Sequence, residues 1–125
     1  MLATLEVMTV VEDDPTATVL QDSFFIRNNH TLIRVRVKDV QWVHADGNYC
    51  YIVTSEKKYI VKISLKKLLS RLPMSLFVQI HKGYIVQMEC IEKVDTKENT
   101  VTICDTILPL GRIYKEQLLE SLDII

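Results

Sequence analysis

The chain has 125 residues, of which 48% are hydrophobic and 25% are charged, and its formal net charge is -1. This length suits one domain with its own core, and the composition is that of an ordinary globular protein. No apolar run approaches the ~20 residues that a membrane span needs, and the N-terminus lacks the basic start of a signal peptide, so we expect no membrane contact and a cytoplasmic location.

Charge is unevenly distributed along the chain. Residues 1–22 contain five acidic residues and no lysine or arginine, which leaves 11 of the 16 acidic and all 15 basic residues in 23–125, a net charge of +4. We interpret 1–22 as an acidic leader or linker, in which residues 5–11 form a strand or a helical turn, and 23–125 as the folded domain. A modestly basic domain is compatible with phosphate contacts without demanding them.

The pattern from residue 24 onward is typical of short strands. Strands are predicted at 24–27 and 31–37, with apolar side chains alternating with Arg34 and Arg36, which gives the second strand a basic outer face. The next strand, 40–45, meets the tight-turn signal Asp46-Gly47-Asn48, and strands at 49–54 and 59–63 follow.

The second half of the chain predicts two helices among further strands. Ser64 is a natural N-cap for an amphipathic helix over 65–72, which Pro73 ends. Strands are expected at 77–80, 85–94 and 100–104, with a turn at 96–99 and a short extended piece at 107–110. A helix from 112 to about 122 closes the chain, with an apolar stripe that contains Tyr114, Leu118, Leu122 and Ile125. The sum is a mainly β domain with one short mid-chain helix and a C-terminal helix.

Metal and catalytic patterns are absent from the sequence. Cys50, Cys90 and Cys104 form no CxxC pair, so we interpret them as buried free thiols in a reducing compartment rather than zinc ligands. His44 and Asp46 would share a strand face, but no HxH or HExxH spacing accompanies them. No nucleophile elbow surrounds Cys50. We therefore expect no metal, no cofactor and no enzymatic activity.

Cationic and aromatic groups cluster at the end of one predicted strand, in the tetrapeptide 81–84. Such groups on a rigid element suit phosphate gripping and base reading, although a solvated turn with a structural His81 would look the same. Arg112 could share a phosphate with the backbone at its helix start, or be a surface charge. Asn48 could be a left-handed turn residue instead of a DNA contact, and Tyr84 a core anchor of its strand.

The ordered series of these motifs over about 24–120 resembles the LytTR DNA-binding domain of bacterial response regulators. The resemblance implies an elongated stack of small antiparallel sheets, whose loops enter successive major grooves. The family's His-Arg-Ser-Tyr motif falls on 81–84, its Ser-Arg-Arg-Tyr motif on 111–114, and its Glu-Gly-Asn-Tyr turn on 46–49. The DNA-contacting residues that it implies are His81, Lys82, Gly83, Arg112, Asn48, Tyr49, Cys50 and Tyr51.

The function expected from this resemblance is sequence-specific binding of double-stranded DNA by a bacterial transcription regulator. The alternative is a protein-interaction or inhibitory module with little DNA affinity, because Gly83 and Gly111 replace serines and Ile113 replaces an arginine of the motifs. A receiver domain usually precedes this domain in the family. The chain is therefore either an excised domain or a stand-alone regulator whose receiver or sensor partner is separate. A homodimer on repeated half-sites is a further hypothesis.

Overall fold

The computed structural model describes residues 7–10 and 22–125, and the rest of the predicted acidic leader lies outside the described residues. The described part is mainly β, with two helices, as predicted. Its strands are β1 (Val7–Val10), β2 (Ser23–Asn28), β3 (Thr31–Arg36), β4 (Val40–Asp46), β5 (Tyr49–Thr54), β6 (Lys58–Val61), β7 (Phe77–His81), β8 (Tyr84–Gln87), β9 (Ile91–Asp95), β10 (Thr100–Ile103) and β11 (Thr106–Pro109). The helices are α1 (Leu65–Leu69) and α2 (Arg112–Glu120).

The strands form an eight-stranded sheet in the order β3-β2-β1-β6-β5-β4-β8-β7 and a three-stranded sheet in the order β11-β10-β9. Neighbouring strands are antiparallel except β1 and β6, which run parallel with Val7 opposite Ile60. Strand β1 also pairs with β2, where Thr9 lies opposite Arg27. The stretch expected as a strand or a helical turn is therefore a strand, and it joins the β2–β3 hairpin to the rest of the sheet.

Strand β3 has the basic outer face that its alternation predicts. Val35 is buried while Arg34 and Arg36 are exposed. The Arg34 guanidinium lies 4.5 Å from the centre of the Phe25 ring and donates a hydrogen bond to Ser23 Oγ at 2.6 Å. These neighbours on β2 hold the arginine flat along the hairpin surface.

Two hydrophobic cores lie on opposite faces of the β7–β8 hairpin. The first core lies between the large sheet and α1, and β7 and β8 contribute Phe77 and Ile85 to it. The second core lies between β7–β8, the three-stranded sheet and α2. Its buried members are Val78, Ile80, Val86, Val101, Ile103, Leu108, Leu110 and Leu118. Because side chains alternate along a strand, this one hairpin fills both cores.

Both helices follow the sequence signals at their starts and depart from them at their ends. The Ser64 side chain accepts a hydrogen bond from the Lys67 N–H at 3.1 Å, which confirms the predicted N-cap. Helix α1 stops at Leu69, earlier than predicted, and Ser70 Oγ donates to the Lys67 carbonyl in the closing turn. In α2, Leu118 is fully buried, but Ile125 is exposed and does not extend the apolar stripe. Neither helix in the described residues is long and apolar enough to cross a membrane.

The strand predicted over 85–94 is wrong, because the chain changes sheets in the middle of it. A single 3-10 turn, Met88–Cys90, separates β8 in the large sheet from β9 in the small one. The buried Gln87 amide donates to the carbonyl oxygens of Val40 at 2.6 Å and Lys38 at 3.2 Å, which fixes the crossing point. No glycine or proline marks this break, so the apolar run reads as continuous.

Candidate nucleic-acid interface

The predicted contact residues His81, Lys82 and Gly83 lie in a tight turn between β7 and β8. His81 ends β7 opposite Tyr84, the first residue of β8. The Gly83 N–H donates a hydrogen bond to His81 Nδ1 at 3.1 Å, so the neutral imidazole carries its proton on Nε2. Lys82 is exposed at the tip. The turn therefore offers one ammonium group and one ring donor.

Backbone hydrogen bonds fasten this β7–β8 turn from two sides. The Ala45 N–H at the end of β4 donates to the Gly83 carbonyl at 2.9 Å. The Gly111 N–H, just before α2, donates to the Ile80 carbonyl at 2.7 Å. Both bonds come from outside the hairpin, so the position of the turn depends on β4 and on the start of α2.

Gly111 permits the close approach that brings α2 to the turn. A Cβ atom at this position would lie 3.0 Å from Tyr114 Cδ2 and 3.5 Å from His81 Cα. The next residue, Arg112, is exposed at the first position of α2. The structure thus brings the predicted contact Arg112 to the same place as His81 and Lys82, although 30 residues separate Arg112 from Lys82 in the chain.

A row of aromatic side chains crosses four neighbouring strands at this end of the large sheet. His44 on β4 stacks on Tyr84 with ring centres 4.6 Å apart and 8° between planes. Tyr51 on β5 lies 6.0 Å beyond His44, and His81 meets Tyr84 edge-on at 5.6 Å. The row Tyr51–His44–Tyr84–His81 is half-buried throughout. Tyr84 also packs against the second core, which agrees with the alternative that it anchors its strand.

The β4–β5 turn carries the second set of predicted contacts. Asp46, Gly47 and Asn48 are exposed, and Tyr49 is half-buried. Gly47 is the left-handed residue of the turn, with φ 62°. Asn48 is not among the positive-φ residues of the described part, so its proposed left-handed role is wrong. Tyr49 and Tyr51 share a shallow depression of about 400 Å³ with Asp46 and Ile60.

Cys50 does not belong to this surface. It is fully buried in the first core, and its Sγ donates to the Ile63 carbonyl at 3.3 Å. Burial raises the pKa of this thiol to about 11. Tyr49 and Tyr51 face the opposite side of β5, since neighbouring side chains alternate. The DNA contact predicted at Cys50 therefore does not fit the structure, and we omit it from the interface.

His44 belongs to the aromatic row, but the sequence did not predict it as part of this surface. The sequence suggests for His44 only a metal ligand or a partner of Cys50 in catalysis, and the described residues hold no cluster of three or more metal-ligating side chains. The hairpin register could have located it. A two-residue loop at Gly47-Asn48 pairs Asp46 with Tyr49 and hence His44 with Tyr51.

Residues 30–123 match the sequence model of a family described as the LytTr DNA-binding domain. The backbone superimposes on the solved structure of a LytTr DNA-binding domain from Bacillus cereus with a TM-score of 0.72, covering 83% of this chain and 99% of that one, at 19% identity. The structural likeness concerns the fold.

Two curated relatives are similar in sequence. The heme-containing CO-sensing transcriptional regulator RcoM 2 of Paraburkholderia xenovorans (strain LB400) is 30% identical over 99 residues, 75% of this chain and 37% of the relative. The sensory transduction protein LytT of Bacillus subtilis (strain 168) is 21% identical over 119 residues, 92% of this chain and 49% of the relative. The chain spans less than half the length of either.

Proposed function

Since this chain belongs to the LytTR family of DNA-binding domains, we propose that it binds double-stranded DNA sequence-specifically as the output domain of a bacterial transcription regulator. The main support for the proposal is that the β7–β8 turn is hydrogen-bonded to the start of α2. Hydrogen bonds at 2.9 and 2.7 Å hold the turn, and Lys82 and Arg112 are exposed beside it. Cationic groups on a positioned backbone are what phosphate contacts require.

Each residue of this turn has a distinct role in the proposal. Lys82 and Arg112 neutralise phosphates, and the Arg112 fork can take two phosphate oxygens at once. His81 presents Nε2–H to a phosphate or a base-edge acceptor, because its Nδ1 is occupied by the Gly83 N–H. Gly83 leaves room for the DNA backbone to approach closely.

The β4–β5 turn supplies the second contact of the proposed interface. Asn48 projects from an exposed turn, and amide side chains pair well with adenine edges in the major groove. Tyr49 and Tyr51 flank it on β5. The two turns lie at the same end of the sheet, and we propose that the loops of this interface enter successive major grooves of the duplex.

The relatives suggest where the signal comes from. One is a CO-sensing transcriptional regulator and the other a sensory transduction protein, and both extend well beyond the region that aligns. We propose that a sensor or receiver, in the same or another chain, controls this domain in the cytoplasm, and that two copies occupy repeated half-sites. A footprint at saturating protein that covers one half-site with one protein would contradict the dimer. We expect no enzymatic activity.

One observation favours the alternative, a protein-interaction module. Ile113 is 82% exposed at the start of α2, where the family motif has an arginine. An exposed apolar side chain beside the turn suits a protein contact better than a phosphate contact. The two functions differ in salt dependence, because only phosphate contacts release counterions.

Fluorescence anisotropy with short random duplexes at low and moderate salt tests the proposal. We expect log K to fall with log salt at roughly 0.9 per phosphate contact. The variant His81→Ala/Lys82→Ala should lose most of this binding. The control Lys57→Ala/Lys58→Ala removes two exposed lysines at the connection between β5 and β6, at the other end of β5 from the β4–β5 turn, and should keep this binding. Absence of binding by folded wild type at low salt would leave the interaction module as the better account.

A further inference from the structure

The three cysteines differ in ways that the sequence does not reveal. Cys50 is buried, as expected, but Cys90 is half-buried and Cys104 is exposed, so the expectation of three buried thiols is wrong. Cys90 ends the 3-10 turn before β9, and Cys104 opens the two-residue loop between β10 and β11. All three are free thiols.

The sheet register places Cys90 and Cys104 side by side. Ile91 on β9 lies opposite Ile103 on β10, so the next position outward on each chain is a cysteine. The Cys104 side chain also lies close enough to that of Cys90 to contribute, after burial, to the raised pKa of the Cys90 thiol. Opposed positions of antiparallel strands, such as Ile91 and Ile103, have Cα atoms about 4.5–5.5 Å apart, and a disulfide joins Cα atoms about 4.4–6.8 Å apart. Cysteines one step beyond such a pair are therefore placed where a disulfide can join them.

The conformation of the loop keeps Cys104 at this place. Cys104 and Asp105 have φ values of 44° and 70°, so both loop residues are left-handed. Two successive left-handed residues define the hairpin turn whose twist matches that of its strands. The exposed thiol therefore lies on a defined turn, one position beyond the pair Ile91–Ile103.

We propose that Cys90 and Cys104 are a modification site at which peroxide forms a reversible intramolecular disulfide. The Cys104 thiolate attacks the peroxide O–O bond, becomes a sulfenic acid and releases one water. The Cys90 sulfur then attacks the Cys104 sulfur, the S–S bond forms, and the hydroxyl leaves as a second water with the thiol proton. Two thiols lose two electrons, and one hydrogen peroxide is reduced to two waters.

The environments of the two thiols assign these roles. Cys104 is exposed and meets the oxidant first. Desolvation by burial, and next the nearby Cys104, raise the pKa of Cys90 to about 11, so Cys90 stays protonated at neutral pH. The second step therefore accelerates as the pH rises toward that value. In a reducing compartment such a bond forms transiently, under oxidant, and thiol reductants reverse it.

The disulfide would close the β9–β10 segment at one end of the three-stranded sheet. At the other end of this sheet Thr100 pairs with Pro109. From Pro109 the chain continues to Gly111, which contacts the β7–β8 turn. We therefore expect oxidation to stabilise the second core while leaving the geometry at His81 unchanged. The inference is independent of the proposed DNA-binding function.

Intact-protein mass spectrometry after hydrogen peroxide treatment tests the site. Wild type and Cys50→Ser should both lose the mass of two hydrogen atoms. After denaturation, each should also have two fewer thiols available for alkylation than its untreated form. A thiol reductant should restore the original mass. Cys90→Ser should instead gain one oxygen at Cys104 or form a dimer through it, and Cys104→Ser should stay largely unmodified.

Thermal unfolding gives a second measurement on the same samples. The oxidised wild type should melt several degrees above the reduced protein, because the cross-link restricts the unfolded chain. Cys104→Ser should show no such rise. Unchanged thiol counts in treated wild type, a disulfide that includes Cys50, or dimers alone would overturn the proposal.

Discussion

The β7–β8 turn and the β4–β5 turn lie at the same end of the large sheet, where neighbouring strands meet their loops, yet they are held in different ways. The β4–β5 turn depends on its own residues, above all on Gly47 with φ 62°. No backbone hydrogen bond in residues 7–10 and 22–125 joins Gly47 or Asn48 to another element. The β7–β8 turn is bound by Ala45 and Gly111, which belong to other parts of the fold.

One turn of the proposed binding surface is thus fixed by its own residues, and the other by residues from distant parts of the chain. A turn fixed by its own backbone keeps its shape when packing elsewhere weakens. A turn fixed from outside is better ordered before binding, which lowers the entropic cost of contact, but it fails when its supports fail. The predictions below test that contrast, in order of decreasing effect.

Leu118→Ala should separate the two turns most clearly. Leu118 is fully buried in the second core, and its truncation should cost about 2–5 kcal/mol of unfolding free energy. Loosening of α2 should perturb the amide signals of Gly83 and Gly111 in a ¹⁵N–¹H spectrum while Gly47 stays unchanged. Denaturant unfolding gives the energy. Equal shifts at Gly47 and Gly83 would disprove the contrast.

Lys82→Ala and Asn48→Ala should affect DNA binding differently. Loss of the Lys82 ammonium should weaken binding to all duplexes alike and lower the salt slope by about 1. Loss of the Asn48 amide should leave the salt slope unchanged and cost about 1–3 kcal/mol only on duplexes whose base it contacts. Titrations against a preferred and a scrambled duplex measure both. A sequence-dependent effect of Lys82→Ala would argue against a phosphate role.

The three glycines give a graded series of alanine substitutions. Gly47→Ala meets no atom within 4 Å but must adopt a positive φ, which costs about 1 kcal/mol. Gly111→Ala must displace the Tyr114 ring by a few tenths of an ångström and should reduce DNA affinity more than stability. Gly83→Ala finds His81 Nδ1 at 3.7 Å, so the fold should tolerate it, whereas the added methyl group should weaken DNA binding. Thermal melts rank the three variants by stability and anisotropy ranks them by DNA affinity, and a large loss of thermal stability in Gly83→Ala would contradict this account.

Ionisation of the Cys50 thiol should have no effect near neutral pH and should lower stability only at alkaline pH. Its folded pKa is raised from 9.0 to about 11, so the folded state disfavours the thiolate. The resulting stability is fully present below pH 9 and is lost as the pH rises toward 11. Cys50→Ala should therefore lose less stability than wild type between these two pH values, although it starts lower. Parallel slopes in denaturant titrations across that range would refute it.

Much of the fold could be predicted because its signals are local. Ser64 caps α1, Gly47 makes a hairpin turn, and alternation on β3 separates Val35 from Arg34. The break at Met88–Cys90 could not be predicted, since Gln87 fixes it by bonding to Val40, a residue 47 positions earlier. The ends of both helices were likewise less predictable than their starts.

The candidate site was predictable residue by residue but not as an arrangement. Motif resemblance pointed to His81 and Arg112 separately, while the hydrogen bond from Gly111 to Ile80 that unites them comes only from the packing of α2. Cys50 was misplaced because motif alignment ignores which strand face a residue occupies. The proximity of Cys90 and Cys104 depends on the β9–β10 register, which includes an irregularity between Thr102 and Ile103.

Strand β1 has a practical consequence for anyone who trims this protein to a minimal fragment. Residues 7–10 pair with both β2 and β6. A deletion of residues 1–22 would therefore leave the backbone N–H and C=O groups that face β1 on these two strands without a partner strand. Bare strand borders are templates for pairing with other chains. We expect such a fragment to self-associate and precipitate, even though it retains every residue of the proposed DNA contact.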